Sequence, residues 1–279
     1  MNSAARPAAL LIALHAAAFW PVWLWYAARL DDGSDEPWAL AALAAAVVVS
    51  WPVRGLRLDA RGPLLAWAAA LTLLYALIAP FAPPLVRAVV AMSALACTWT
   101  HVADARAKFP AVLALLVLSV PVIASLQFYA GYPLRILTAA GATGLLDAAG
   151  LDVARTGTSM TLDAHTVLVD APCSGVRMWW TASVLAVVLA SFRERVTLRG
   201  IALTCALALP VVIAANVMRA ALLFVLETRD SQPTALGHSL VGVSAFVLLA
   251  LLLVASEALQ SRRTRRDRAG DPPRLAVRA

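Results

Sequence analysis

The sequence is poor in charge and in cysteine, and each shortage excludes a class of protein. Charged residues make up 14% of the 279 residues and hydrophobic residues 62%, whereas soluble domains carry about 25% and about 45–50%. This composition excludes a soluble fold and predicts an integral membrane protein. Three cysteines cannot all pair with one another, and Cys97 and Cys205 lie in hydrophobic runs, so we expect no disulfide framework.

The net charge of +7 is carried almost wholly by arginine, because Lys108 is the only lysine. A basic chain can indicate nucleic-acid binding, but these arginines cluster in loops between hydrophobic runs and at the C-terminus. In a membrane protein that distribution indicates topology. The sequence contains no metal-ligand spacing, phosphate-binding glycine loop or nucleic-acid motif. We therefore expect no metal, no cofactor and no nucleic acid.

Eight hydrophobic runs approach the length of a spanning helix, which needs about 20 apolar residues. The runs cover about 8–28, 37–53, 63–81, 85–102, 109–129, 176–192, 200–226 and 237–258. Basic loops follow the second, fourth, sixth and eighth runs, so the positive-inside rule places both termini in the cytoplasm. We predict an all-α polytopic protein of about eight transmembrane helices. Residues 1–260 form one integral membrane domain, and 261–279 form a disordered basic cytoplasmic tail.

The longest polar stretch, about 130–172, lies on the outer face in this topology and precedes the sixth run. Within it, Leu134–Leu146 has the amphipathic, glycine-punctuated pattern of a helix lying along the membrane surface. Residues Met160–Val169 have the β character of a hairpin with its turn near Asp163-Ala164. The stretch therefore predicts a small outer-face excursion made of an amphipathic helix and a β-hairpin.

A polar segment that contains Cys173 ends this stretch, and its sequence is Val169-Asp170-Ala171-Pro172-Cys173-Ser174-Gly175-Val176-Arg177. Pro172 disfavours helix at the residue before it, and Ser174 and Gly175 tolerate a helix start. Cys173 should therefore lie at or just before the N-terminus of the sixth helix, where the thiol pKa is lowered. From this segment alone two interpretations stay open: a reactive thiolate, or a cysteine that only punctuates a loop.

The predicted topology brings other polar residues to the level of Cys173. Arg219 lies near the outer end of the seventh run with Asn216 one turn below it, and His238 lies in the first turn of the eighth run. Singly, such an arginine often reaches to lipid headgroups, and such a histidine is more often an interface residue. These explanations are weaker when the residues are taken together, because ionisable residues inside a membrane are costly and usually functional. A thiolate, an imidazole and a guanidinium suit acyl transfer.

His165 also lies on the outer side and competes with His238 for the role of the histidine. Its alternating, β-like segment favours a solvent-facing strand residue instead. The remaining candidates are assigned structural roles, and they are Cys97, Cys205, His15 and His101.

At these residues the sequence resembles the exosortase/archaeosortase family of polytopic membrane proteins. The similar segments are Ala171-Pro172-Cys173-Ser174-Gly175-Val176-Arg177, then Asn216-Val217-Met218-Arg219, then Gly237-His238-Ser239. They follow the family order of a Cys-Ser-Gly segment, an Asn-x-x-Arg segment and a later histidine. Each segment alone is a weak signal, but the trio is fairly specific and covers roughly Ala130–Ala250.

The resemblance implies a membrane-embedded cysteine protease or transpeptidase in the bacterial plasma (inner) membrane. Its partners would be exported proteins whose C-terminal sorting signal combines a short motif, a transmembrane helix and a basic cluster. We expect Cys173 to form a thioester, Arg219 to stabilise the oxyanion and His238 to carry the proton. Substrate-binding residues are expected at Arg177, Asn216 and Asp170, on the outer face of the membrane.

Two other functions stay open on the sequence. A non-catalytic membrane protein for envelope polysaccharide export or assembly would tolerate Cys173→Ala. A transporter would use Arg219 and His238 to line a pathway, but it would bring more polar residues into the mid-membrane and often an internal repeat. The sequence shows neither feature clearly, so the transporter ranks last.

Overall fold

The computed structural model describes residues 5–31, 38–51, 55–59, 62–193, 196–229, 240–255 and 258. This part of the chain contains ten α-helices and a small three-stranded sheet. The helices are α1 (Ala5–Ala18), α2 (Trp20–Asp31), α3 (Ala39–Val49), α4 (Pro63–Ile78), α5 (Pro84–Val102), α6 (Phe109–Leu118), α7 (Ile123–Ala148), α8 (Val176–Ala190), α9 (Leu198–Arg229) and α10 (Leu240–Ala255). The strands are β1 (Ala154–Thr156), β2 (Ser159–Leu162) and β3 (His165–Leu168).

The described helices have the length and apolar character of a membrane protein. Two of them, α5 and the Leu198–Thr228 part of α9, are individually long and apolar enough to cross a membrane. The number rises to four if each of two bent pairs forms one span, namely α1 with α2 and Arg106–Leu118 with α7. Four shorter apolar helices, α3, α4, α8 and α10, accompany them. The all-α membrane class is confirmed, and the count of eight spans stays a prediction.

The first hydrophobic run, 8–28, is not one continuous helix. Helices α1 and α2 meet at an angle of 68°. Pro21 in the first turn of α2 has no amide hydrogen to donate to the carbonyl of Ala17, and its ring crowds that carbonyl. The nearby Ala16 carbonyl instead accepts the Phe19 amide at 3.1 Å and the Trp23 indole N–H at 2.7 Å. A hydropathy pattern does not register this proline break.

The fifth run is also broken, and the prediction of a separate amphipathic helix at Leu134–Leu146 is wrong. The chain bends by 80° between Arg106–Leu118 and α7, around Pro121. Helix α7 then continues to Ala148, so residues 134–146 form its second half. This half packs closely against α9, since a Cβ on Gly141 would lie 2.7 Å from the Val217 side chain.

The predicted β-hairpin is confirmed, and β1 extends it to a sheet of order β1-β2-β3. Strands β2 and β3 are antiparallel, with Leu162 opposite His165 and a two-residue turn in which Asp163 has a φ of +53°. Buried Met160 and Val169 pack this sheet against Phe224 of α9 and the C-terminal half of α7. The sheet is therefore anchored on the two helices immediately before the chain reaches Cys173.

Candidate functional site

Cys173 lies in a short 3-10 turn, Ala171–Ser174, which we call the Cys173 turn. The Asp170 carboxylate caps this turn by accepting the Cys173 amide at 3.2 Å. The turn ends at Gly175, whose φ of +83° favours glycine, and α8 begins at the next residue. The structure therefore places the half-buried thiol just before the N-terminus of a helix, as the sequence predicts.

Asn216 of α9 binds the backbone of the Cys173 turn. Its side chain is only 2% exposed, and its Nδ2 donates to the Cys173 carbonyl at 2.8 Å and to Thr138 Oγ1 of α7 at 2.9 Å. A Cβ on Gly175 would lie 3.2 Å from the same Nδ2. Gly175 is therefore favoured twice, by its backbone conformation and by the close approach of Asn216.

Gln127 of α7 also binds the Cys173 turn, and it was not predicted from the sequence. Its Oε1 accepts the Ser174 hydroxyl at 2.8 Å, and its Nε2 donates to the Ala171 carbonyl at 3.0 Å. One amide thus contacts the chain on both sides of Cys173. No local pattern marks this residue, because its partners lie 44 and 47 residues further along the chain.

Arg219 of α9 is the charged neighbour of the thiol. Both its charge and a hydrogen bond from its guanidinium act on Cys173 and lower the thiol pKa. The Nε atom of Arg219 is buried and has no hydrogen-bond partner among the described residues. Gly242 of α10 faces that atom, since a Cβ there would lie 3.8 Å from it. The guanidinium thus lies between the thiol and the first turn of α10.

The thiol pKa is nevertheless raised, to about 11. Burial is the largest cause, and Asp170 adds to it through its hydrogen bond and its negative charge, while Arg219 opposes both. The expected lowering at a helix N-terminus is therefore wrong for this structure. The Asp170 carboxylate already caps the turn, and α8 itself starts only after Gly175. The thiol is neutral at pH 7.

The other predicted site residues are less directly connected to the thiol. His238 lies outside the described residues. Arg177 is exposed in the first turn of α8, and the competing His165 is exposed on β3. Cys97 is buried within α5, and Cys205 of α9 donates its thiol to the Ser183 carbonyl at 4.0 Å. Among the described residues, no group of three or more His, Cys, Asp or Glu side chains could hold a metal ion.

Together these features define a helical membrane protein with a candidate cysteine site where α7, α8 and α9 meet. The model of the transmembrane exosortase family matches residues 9–255, which is most of the chain. The chain belongs to this family, as its three short segments around Cys173, Arg219 and His238 predict. Searches of curated proteins and of solved structures gave no match.

Proposed function

We propose that this exosortase cleaves exported proteins at a C-terminal sorting signal, with Cys173 as the nucleophile of an acyl transfer. The observation that carries the proposal is the pairing of a half-buried thiol with the Arg219 guanidinium. Hydrogen bonds from α7 and α9 hold the backbone of the thiol in place. Such preorganisation of a nucleophile beside a cation is the arrangement that acyl transfer requires.

The neutral thiol requires a base. With a pKa of about 11, Cys173 has to lose its proton as the sulfur attacks the scissile carbonyl. We assign this role to His238, which precedes Gly242 by four residues in the sequence. The imidazole takes the thiol proton and later gives it to the leaving amine.

Arg219 stabilises the negative charge that develops on the carbonyl oxygen during the attack. Its guanidinium offers charge-assisted hydrogen bonds in a site of low dielectric, where they are strongest. As the tetrahedral intermediate collapses, the C–N bond breaks and a thioester remains on Cys173. An amine acceptor or water then attacks the thioester and releases the processed protein and the thiolate, which regains a proton.

Four further residues support this chemistry without taking part in bond making. Asn216 and Gln127 are positioning residues, because they bind the backbone on either side of the thiol. Asp170 and Arg177 are exposed beside the Cys173 turn, where a bound substrate would contact them. The burial of Asn216 favours a positioning role over the direct substrate contact expected from the sequence.

The site also has a proposed location in the cell. The positive-inside rule places both termini in the cytoplasm and the Cys173 turn at the outer face of the bacterial plasma membrane. The partners are then exported proteins that carry a short motif, a transmembrane helix and a basic cluster at their C-terminus. The bilayer would present the motif of such a protein at the level of Cys173.

The test is processing of a co-expressed candidate substrate of that kind by Cys173→Ser. We expect processing to be lost while the variant remains folded in the membrane, because a hydroxyl is a much weaker nucleophile than a thiol. Cys205→Ser is the matched control and should process normally, since that thiol packs against the helical core and bonds the Ser183 carbonyl of α8. Normal processing by Cys173→Ser would contradict the proposal.

One observation favours a second candidate, a non-catalytic protein for envelope polysaccharide export or assembly. Burial and Asp170 keep the Cys173 thiol neutral, which is typical of a structural cysteine. This alternative predicts that Cys173→Ala has no phenotype and that no acyl group ever becomes attached to the thiol.

A further inference from the structure

Strand β3 is an edge strand of the three-stranded sheet, with no strand beside it on one side in the part of the chain that the structure describes. In the β2–β3 hairpin, Leu162 and His165 close a two-residue turn and so exchange hydrogen bonds. In an antiparallel ladder, hydrogen-bonded residue pairs alternate with pairs that exchange no hydrogen bonds. The Val169 amide donates to the Thr158 carbonyl at 2.9 Å, which agrees with this alternation. The backbone amides and carbonyls of Thr166 and Leu168 therefore face away from β2.

These backbone groups have no partner among the described residues, and both residues are exposed; Leu168 is 57% exposed. Proteins protect an edge strand by keeping it very short, or with proline, lysine or a bulge. β3 is short, but its four residues, His-Thr-Val-Leu, include no proline and no lysine. The edge therefore offers a set of backbone donors and acceptors that matches an extended polypeptide.

The position of this edge indicates what it binds. β3 ends five residues before Cys173, which is at most about 17 Å of extended chain. Buried Met160 and Val169 fix the sheet on α7 and α9, the same helices that hold the Cys173 turn. A polypeptide paired with β3 would therefore need only a few extended residues to reach the thiol.

We propose that the substrate segment next to the scissile bond binds as an added strand on the open edge of β3. The inference rests on the proposed function for its choice of polypeptide. Backbone pairing with Thr166 and Leu168 would hold the segment extended, and alternate side chains of the substrate would face the same side of the sheet. Specificity would then come from every second residue of the sorting motif.

The first experiment removes single donors from the edge by Thr166→Pro and Leu168→Pro. Proline is tolerated on an edge strand where the lost N–H faces outward. The matched control is Arg155→Pro on β1, because Arg155 lies opposite Met160 and its amide faces away from β2 on the other edge of the sheet. Each variant is made in the Cys173→Ala background, so that binding is measured without cleavage.

The probe is the C-terminal fragment of a protein from the same genome that ends in a short motif, a spanning helix and an arginine cluster, and that copurifies with Cys173→Ala. We expect each β3 variant to raise the Kd of the labelled fragment about fivefold, as the loss of one backbone hydrogen bond implies, and the control to leave it unchanged. Binding by both β3 variants as tight as that of the control would overturn the inference.

A second readout distinguishes a strand from other modes of binding. Cysteines are placed singly along the fragment and oxidised against Thr166→Cys. An added strand predicts disulfides at alternate fragment positions, because its side chains alternate between two faces. Equal yields at consecutive positions, or a disulfide between two copies of Thr166→Cys in place of the fragment, would overturn the inference. Strand-like binding with continued processing by Cys173→Ala would instead contradict only the proposed catalytic role.

Discussion

Two polar clusters of this protein differ in how fully their hydrogen-bonding groups are used. In the helical interior, both ring nitrogens of His15 are engaged at 2.7 Å, with Thr98 and with Thr72. At the candidate site, the Arg219 Nε is buried without a partner in the described residues, and the Cys173 thiol is half-buried beside it. The first cluster is what helix packing needs. The second retains unused bonding capacity, which a reaction can use.

Among the predicted effects on processing, the largest is expected from substitution of Arg219. Arg219→Met should lower the rate of sorting-signal processing roughly 100- to 1,000-fold, as loss of an oxyanion donor does elsewhere. It should also slow alkylation of Cys173 by iodoacetamide at a fixed pH, because Arg219 lowers the thiol pKa. Arg219→Lys keeps the charge but not the planar fork, so its rate should lie between the two. Processing at the wild-type rate in Arg219→Met would remove this residue from the mechanism.

A smaller effect on processing is expected at the contact between the Cys173 turn and α9. A comparison of two glycines separates this contact from the backbone effect of adding a side chain. Gly175 and Gly157 both have positive φ, +83° and +63°, but only at Gly175 would a Cβ meet Asn216. Alanine at either position should cost about 1 kcal/mol of stability from the backbone alone. Only Gly175→Ala should reduce processing, by about tenfold if the displaced turn weakens transition-state binding by about 1.4 kcal/mol. Equal processing rates for the two variants would show that the Asn216 contact does not position Cys173.

The pH dependence of Cys173 alkylation distinguishes a positioning role of Gln127 from simple stabilisation of the fold. Gln127→Met removes both hydrogen bonds to the Cys173 turn, so the thiol should become more hydrated. Its pKa should then fall from about 11 towards its ordinary value of 9.0. Alkylation at pH 8 becomes faster, while processing becomes slower because the turn is no longer fixed. A lower melting temperature with an unchanged alkylation profile would leave Gln127 a structural role only.

The smallest effect on processing is expected at His15, whose two ring nitrogens are both hydrogen-bonded. His15→Ala removes two hydrogen bonds and should lower the stability by about 1–3 kcal/mol, measured as a lower melting temperature in detergent. Thr72 retains a hydrogen bond to the Ala68 carbonyl at 2.7 Å, which limits the loss. Processing at permissive temperature should equal that of the wild type. A processing defect in folded His15→Ala would erase the contrast between the two clusters.

Local features of the site could be predicted from the sequence. The β-hairpin and the helix start after Cys173 depend on turn residues that lie within a few positions of each other. The contacts from Gln127 and Thr138 could not be predicted, because they span 44 and 78 residues and depend on how α7 packs. Such pairings are properties of tertiary structure rather than of any local pattern.

Two errors have clear physical causes. The hydrophobic runs at 8–28 and 109–129 looked continuous because apolar content does not report the missing amide of Pro21 or Pro121. The thiol pKa was expected to fall because a helix start favours a thiolate. Burial and the Asp170 carboxylate outweigh that effect in the folded chain. Both errors arose where a neighbour in space or a backbone break decided the outcome.

Intact-mass analysis of the purified protein tests the role of Cys173 most directly. Wild type and Cys173→Ala are each co-expressed with a candidate substrate that ends in a short motif, a spanning helix and an arginine cluster. Acyl transfer predicts a substrate-sized adduct on the wild type alone, removable by hydroxylamine because the bond is a thioester. Cleavage of the substrate by Cys173→Ala, with no adduct on the wild type, would contradict the proposed mechanism.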